Sequence, residues 1–242
     1  MQRAYDMVVH DVAIQKLPVI FCLDRAGLVG DDGPTHHGCY DIAYMRCVPN
    51  LIVSAPMNES ELRNLMYTAQ LDSNTLPIVI RYPRGEGVMV DWKTPMEEIE
   101  IGKGRKLKEG KELAVLSFGH PGNFATTAIR DLKLEGMEVG HYDMRFAKPL
   151  DEAMLHEVCQ KYKALVTVED GTVVGGFGSA VLEFMNQHNY RIPVHVMGIP
   201  DRLVEHGTPK QLYEEIGLDA NAIAGQLRKM ASEIQVTEKM NG

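Results

Sequence analysis

The chain has 242 residues, 45% apolar and 24% charged, which is ordinary globular usage and length enough for two domains. Its formal net charge of −8 argues against a nucleic-acid partner, which needs a positive field, but leaves room for a local cationic pocket that takes a small phosphorylated substrate. No apolar run approaches the ~20 residues that span a membrane, no uninterrupted apolar core marks a signal peptide, and Cys22, Cys39, Cys47 and Cys159 form no CxxC pair, so a soluble cytoplasmic protein with buried free thiols is expected.

Residues 2–16 place Tyr5, Val8, Val9, Val12 and Ala13 at helical spacing. Pro18 ends that helix, and the run Val19 to Leu23 reads as a strand. A loop follows, DRAGLVGDDGPTHHG, from Asp24 to Gly38, and then a short helix near Asp41–Arg46. LIVSAP at 51–56 is a second strand. Asn58 stands as an N-cap for the next helix, with Glu61 three residues on, where a capping box wants it. LPIVIRYPRG is a third strand running into a turn at Pro83–Gly85. The stretch from Gly87 to Glu112 is polar and glycine-punctuated, and reads as an interdomain linker with room for a short hairpin.

After the linker the alternation restarts, with strands at ELAVLSFG, MEVGHYDMR, ALVTVED and IPVHVMGIP. Helices are expected at 121–135 and 151–161, over GGFGSAVLEFMNQHN, and in two C-terminal segments opened by Thr208 and Asp219. Near-continuous apolar strands between amphipathic helices predict an α/β protein of two open, mostly parallel sheets covered on both faces. The boundaries expected are 1–95 for the first domain, 96–110 for a linker and 111–242 for the second. Three strands are few for an open sheet of this type, and the first domain reads as truncated at its N-terminus.

Ligands of such sheets bind beyond the C-terminal strand ends. Two polar clusters fall there, Arg25 to His36 after the first strand and Arg81 with Arg84 after the third. Arginine offers a rigid fork of donors to phosphate or carboxylate. Glycines 27, 30 and 33 let backbone approach a ligand, and Asp32 and His36 can exchange protons. The plainer alternatives stand beside this. Arg81 pairs with a neighbouring acid, Asp31 and Asp32 are turn residues, and His36–His37 is a poor metal site with no third ligand. The GGFGSAV glycines fit close helix–sheet packing better than a P-loop, which needs a following Lys-Ser/Thr.

With these stretches in hand, the chain resembles the 1-deoxy-D-xylulose-5-phosphate synthases, a family of transketolase-like thiamine-diphosphate enzymes. The matching residues are QRAYD, HDVAIQKLPVIFCLDRAGLVGDDGPTHHG, RYPRG, DMRFAKPLD, VTVEDGTVVGGFGSAV and GIPDRLVEHGT, spread over nearly the whole chain. DGPTHHG alone is shared with transketolases proper; the other stretches make the synthases the specific match.

The resemblance implies a partial pyrimidine-binding domain followed by the transketolase C-terminal domain. It implies that Arg25 and Arg84 hold the phosphate of glyceraldehyde 3-phosphate, that Asp32 and His36 contact the reacting centre, and that Arg3 lies near the cofactor ring. Thiamine diphosphate, magnesium, pyruvate and a homodimeric partner are implied for the complete enzyme. The domain that carries the metal and diphosphate, and the glutamate that starts ylide formation, are expected upstream of Met1. The 242 residues alone are therefore expected to bind no cofactor, to hold no metal and to be inactive. The alternatives are the C-terminal half of a split transketolase and a non-catalytic assembly subunit.

Overall fold

The computed structural model describes residues 1–88, 90–91 and 93–241; Met89, Trp92 and Gly242 lie outside them, the first two inside the stretch read as linker. The opening segment is helical but not uniform. A 3₁₀ turn at Gln2–Ala4 leads into α1 (Tyr5–Met7) and then a π-helix at Val8–Ala13. A π-helix bonds i to i+5, which puts Val8 and Ala13 on one face, and both are buried. Tyr5 anchors the segment by donating its hydroxyl hydrogen to the Tyr44 carbonyl at 2.6 Å.

Short runs of branched residues then build the first sheet from β1 (Ile20–Leu23), β2 (Ile52–Ser54) and β3 (Ile78–Arg81), all parallel. β3 lies between the other two, and every residue of β2 and β3 is buried. Between them run α2 (Asp41–Arg46) and α3 (Glu59–Ala69). β1 is an edge strand with one exposed position, Cys22. This corrects two expectations. The sheet is not covered on both faces at β1, and Cys22 and Cys47 are exposed thiols, while Cys39 and Cys159 are buried.

The second sheet is larger, in the order β4-β6-β5-β8-β9. β5 (Leu113–Phe118), β6 (Val139–Asp143), β8 (Ala164–Thr172) and β9 (Val194–Ile199) are parallel. β4 (Arg105–Lys108) pairs antiparallel with β6 at the edge. Among the described residues no hairpin forms in the stretch read as linker, because β4 finds its partner in β6 instead. That stretch is also strapped to α3: Ile99 N–H donates to Thr68 Oγ1 at 2.8 Å, Glu97 N–H donates to Asn64 Oδ1 at 3.1 Å, and Ile99 is buried.

Helices α4 (Gly122–Leu134), α5 (Glu152–Lys161), α6 (Phe177–Gln187), α7 (Pro209–Glu215) and α8 (Ala220–Asn241) complete the chain. The predicted N-caps hold: Asn58 accepts from Glu61 N–H, Thr208 forms a full capping box with Gln211, and Asp219 accepts from Ala222 N–H at 2.8 Å; Asp151 likewise caps α5 by accepting from Met154 N–H. Gly178 on α6 would drive a Cβ to 2.5 Å from Val196 Cγ1. The glycines there thus serve close helix–sheet packing, as the sequence suggests.

Besides β4, a second strand escapes sequence reading. β7 (Phe146–Lys148) pairs antiparallel with β2, so a segment from the second half joins the first sheet. Arg145 turns the chain there at φ 54°, and its carbonyl accepts from Ala55 N–H at 3.0 Å. Glu61 explains why its own helix, α3, carries only half a capping box. Asn58 Oδ1 caps Glu61 N–H, but the Glu61 carboxylate accepts from Arg105 Nη1 at 2.7 Å and Arg145 Nε at 2.7 Å. The two halves also share apolar packing. Val53 and Val79 of the first sheet belong to the same core as Leu116, Phe118 and Phe177, each such buried side chain contributing about 1.5–3 kcal/mol.

Candidate active site

The loop from Asp24 to Gly38 leaves the C-terminal end of β1, beside that of β3: Ala26 N–H donates to the Tyr82 carbonyl at 3.0 Å. The loop closes on itself at a narrow neck. Gly27 N–H donates to Gly38 O at 3.0 Å and Gly38 N–H returns the bond to Gly27 O at 2.9 Å. A Cβ on Gly38 would lie 2.1 Å from the Arg25 carbonyl oxygen, so only glycine fits there.

A cavity of about 370 Å³ opens beside this neck. Arg25 and His36 both line it, with Cys22, Asp24, Thr35 and Tyr40. Arg25 has left-handed backbone (φ 62°), and its Nη1 donates to Asp24 Oδ2 at 2.7 Å. Its Nε is shielded from solvent and has no acceptor among the described residues. The His36 ring lies 2.9 Å from Thr35 Oγ1 through Nδ1. Burial pushes two other groups of the lining up to about 12, the Cys39 thiol and the Tyr44 phenol, so both stay neutral.

The remaining residues singled out from sequence are placed differently. Arg84 and Asp32 form an ion pair at 2.5 Å and do not line this cavity. Arg3 sits in the exposed opening turn; its neighbours Met1 and Gln2 reach the cavity wall, but Arg3 is not part of the wall. His37 serves the loop itself, its Nδ1 accepting from Val29 N–H at 3.1 Å and its Nε2 donating to the Val204 carbonyl at 3.2 Å.

Arg81 takes the plainer of its two readings. It is 1% exposed and donates to Asp41 Oδ2 at 3.0 Å, to Gly38 O at 3.1 Å and to Asp170 Oδ1. Burial works against its charge, but Asp170 and Asp41 overcome it and raise its pKa.

The loop glycines also resolve differently from expectation. Gly27, Gly30 and Gly33 all have positive φ, but what they admit is the second half of this chain. A Cβ at Gly27 would meet Tyr213 Oη at 2.6 Å and Asp170 Oδ2 at 2.9 Å; at Gly30 it would meet Pro209, and at Gly33 His206. Sequence reasoning missed Asp170 and Tyr213. Their partners are 89 and 185 residues away along the chain, and no local pattern reports such a contact.

Chemically, the cavity offers one guanidinium with an unsatisfied donor and two imidazoles, of which His37 has both ring nitrogens engaged by backbone and His36 does not, within a glycine-tight frame. That suits a small anion with a proton-exchanging group beside it. Among the described residues no three His, Cys, Asp or Glu side chains come together to hold a metal ion. The described residues thus offer no donor set suited to a metal-held diphosphate. No described helix is long and apolar enough to cross a membrane.

Comparison with known proteins matches both halves of the chain to one family. The transketolase pyrimidine binding domain matches residues 1–88 and the transketolase C-terminal domain matches residues 102–223. The 1-deoxy-D-xylulose-5-phosphate synthase of Cytophaga hutchinsonii is 60% identical over 234 residues, which is 97% of this chain and 37% of that protein. Those of Bacteroides thetaiotaomicron and Aquifex aeolicus are 59% and 48% identical over 95% and 94% of the chain, or 35% and 36% of their own lengths. The chain thus spans about a third of the length of these relatives. A solved structure described as a split gene transketolase, inactive beta4 tetramer, superimposes with a TM-score of 0.83 at 31% identity, covering 94% of this chain and 71% of that one. With both of its domains and its curated relatives in agreement, the chain belongs to the transketolase-like family and matches the C-terminal part of the 1-deoxy-D-xylulose-5-phosphate synthases.

Proposed function

We propose that this chain is the C-terminal part of a 1-deoxy-D-xylulose-5-phosphate synthase and carries the acceptor-substrate side of its active site. The complete enzyme would condense pyruvate with glyceraldehyde 3-phosphate with loss of CO2, as a cytoplasmic homodimer that uses thiamine diphosphate and magnesium. The observation that carries the reading is the strand-end cavity holding Arg25 and His36, in a chain 60% identical to such synthases over 97% of its length.

When bound, thiamine diphosphate supplies the carbon chemistry; this chain's residues bind and orient the acceptor. Arg25 and Arg84 hold the phosphate dianion by charge-assisted hydrogen bonds. Arg84 is exposed and held by Asp32 at 2.5 Å, so binding asks it to exchange one anionic partner for another. Asp32 and His36 contact the aldehyde and hydroxyl of the acceptor, where His36 holds or delivers a proton. Arg3 lies near the cofactor ring and donor carbon.

The metal-diphosphate ligands belong to the part of the synthase that this chain does not match. By itself the chain is proposed to be inactive and to bind no thiamine diphosphate; a calorimetric titration with measurable binding would overturn that. In the complete enzyme, Arg84→Ala should raise KM for the aldehyde phosphate about tenfold or more and leave that for pyruvate nearly unchanged. Equal effects on both would remove Arg84 from the phosphate site.

A second reading is favoured by the split gene transketolase that superimposes at a TM-score of 0.83. There this chain is one half of a two-gene enzyme that transfers ketol units between sugar phosphates. CO2 release from pyruvate by the complete enzyme supports the synthase, and its absence the split transketolase.

A further inference from the structure

The floor of the proposed substrate loop is made by the other half of the chain. Leu28 N–H donates to Tyr213 Oη at 3.4 Å. Asp170 holds Arg81, which in turn donates to Gly38 O. Both contacts meet at the Gly27–Gly38 neck, where a Cβ on Gly27 would collide with Tyr213 and Asp170 together. Arg25 stands two residues before Gly27, and His36 two residues before Gly38. The neck therefore fixes where both side chains enter the cavity.

We propose that Tyr213 and Asp170, in the transketolase C-terminal domain, are positioning residues for the acceptor pocket. They hold the neck from below and so set the distance between Arg25 and His36. The physical argument is one of rigidity: a site held on glycine-rich backbone is only as well defined as the groups that lock that backbone. Tyr213 is well suited to this. Its ring packs edge-on against Phe124 at 5.3 Å, and burial with the nearby Asp170 raises its pKa, so a neutral hydroxyl meets the loop from a fixed ring. That Arg25 and His36 belong to a substrate pocket rests on the proposed function; that Tyr213 and Asp170 order the neck does not.

The test uses the chain as it stands. Tyr213→Phe keeps the ring contact and deletes only the hydroxyl, and Asp170→Asn is the second variant. Amide exchange and side-chain NMR signals are read in both. In Tyr213→Phe the Leu28 amide should exchange at least about tenfold faster, and the Arg25 Nε–H and His36 ring signals should shift. Amides of β5 and β8 should keep their protection.

Unchanged Leu28 exchange and unchanged Arg25 and His36 signals in both variants would overturn the proposal. So would loss of the whole fold in both, since the effect required is local. Titration of the parent chain with inorganic phosphate separates the two readings. A shift of the Arg25 signal supports the pocket, whereas silence there counts against the pocket and leaves the positioning to be decided by the exchange data.

Discussion

Replacing Arg81 by Met is the sharpest test of what joins the two halves. The side chain is 1% exposed, and its two carboxylate partners, Asp41 and Asp170, have side chains 7% and 1% exposed. Met keeps most of the stem volume, so the packing cost is small. The electrostatic cost is not, because two buried carboxylates then face each other without a cation. Removing one partner of a buried pair costs about 3–5 kcal/mol, out of a total stability of about 5–15 kcal/mol.

Urea unfolding followed by circular dichroism at pH 7.5 should therefore show the midpoint of Arg81→Met falling steeply. Adding Asp41→Asn and Asp170→Asn to the variant should recover part of the loss at pH 7.5. A loss under about 1 kcal/mol, or one that the two Asn substitutions leave unchanged, would refute the reasoning, since a buried uncompensated charge pair can produce neither.

Two further predictions rest on buried groups. Burial pulls the His141 imidazole down to about 4 from its ordinary 6.5, with Arg105 and Lys108 adding to the effect. The folded chain thus refuses a proton that the unfolded chain accepts, and stability falls as pH drops from 6.5 to 4, by about 3 kcal/mol from this group. The stability difference between the parent and His141→Gln should slope across that window; a flat difference would count against a buried neutral ring. Among the cysteines, Cys22 and Cys47 should react with a maleimide in the native state. Cys39 and Cys159, pushed by burial to about 12 and about 11, should react only on unfolding; four fast thiols would contradict the packing.

Much of the architecture is legible in the sequence because its causes are local. Branched runs such as Ile78–Arg81 and Leu113–Phe118 form central buried strands, and Asn58, Asp151 and Thr208 cap the helices that their positions mark. The elements that escape are set by distant partners. β7 is three residues long and becomes a strand only because β2 lies open to it. β4 reads as linker because its lysines and arginine suit an exposed edge, and its strand partner, β6, comes more than thirty residues later. Glu61 fits a capping box in sequence, but two arginines from the second half offer its carboxylate stronger, charge-assisted bonds.

The candidate site divides in the same way. Which residue types stand at the strand end, and which family they point to, is settled by sequence alone, since residue identity and order need no fold. What the loop glycines admit is decided only in three dimensions. Gly27, Gly30 and Gly33 look like room for a ligand, and they are filled by Tyr213, Asp170, Pro209 and His206. Arg25 and His36 meet at one cavity because Gly27 and Gly38 pair across the neck, and Arg84 is drawn aside to Asp32. Close approach of backbone segments far apart in the chain is a property of packing, and glycine in a sequence marks only that some approach occurs there.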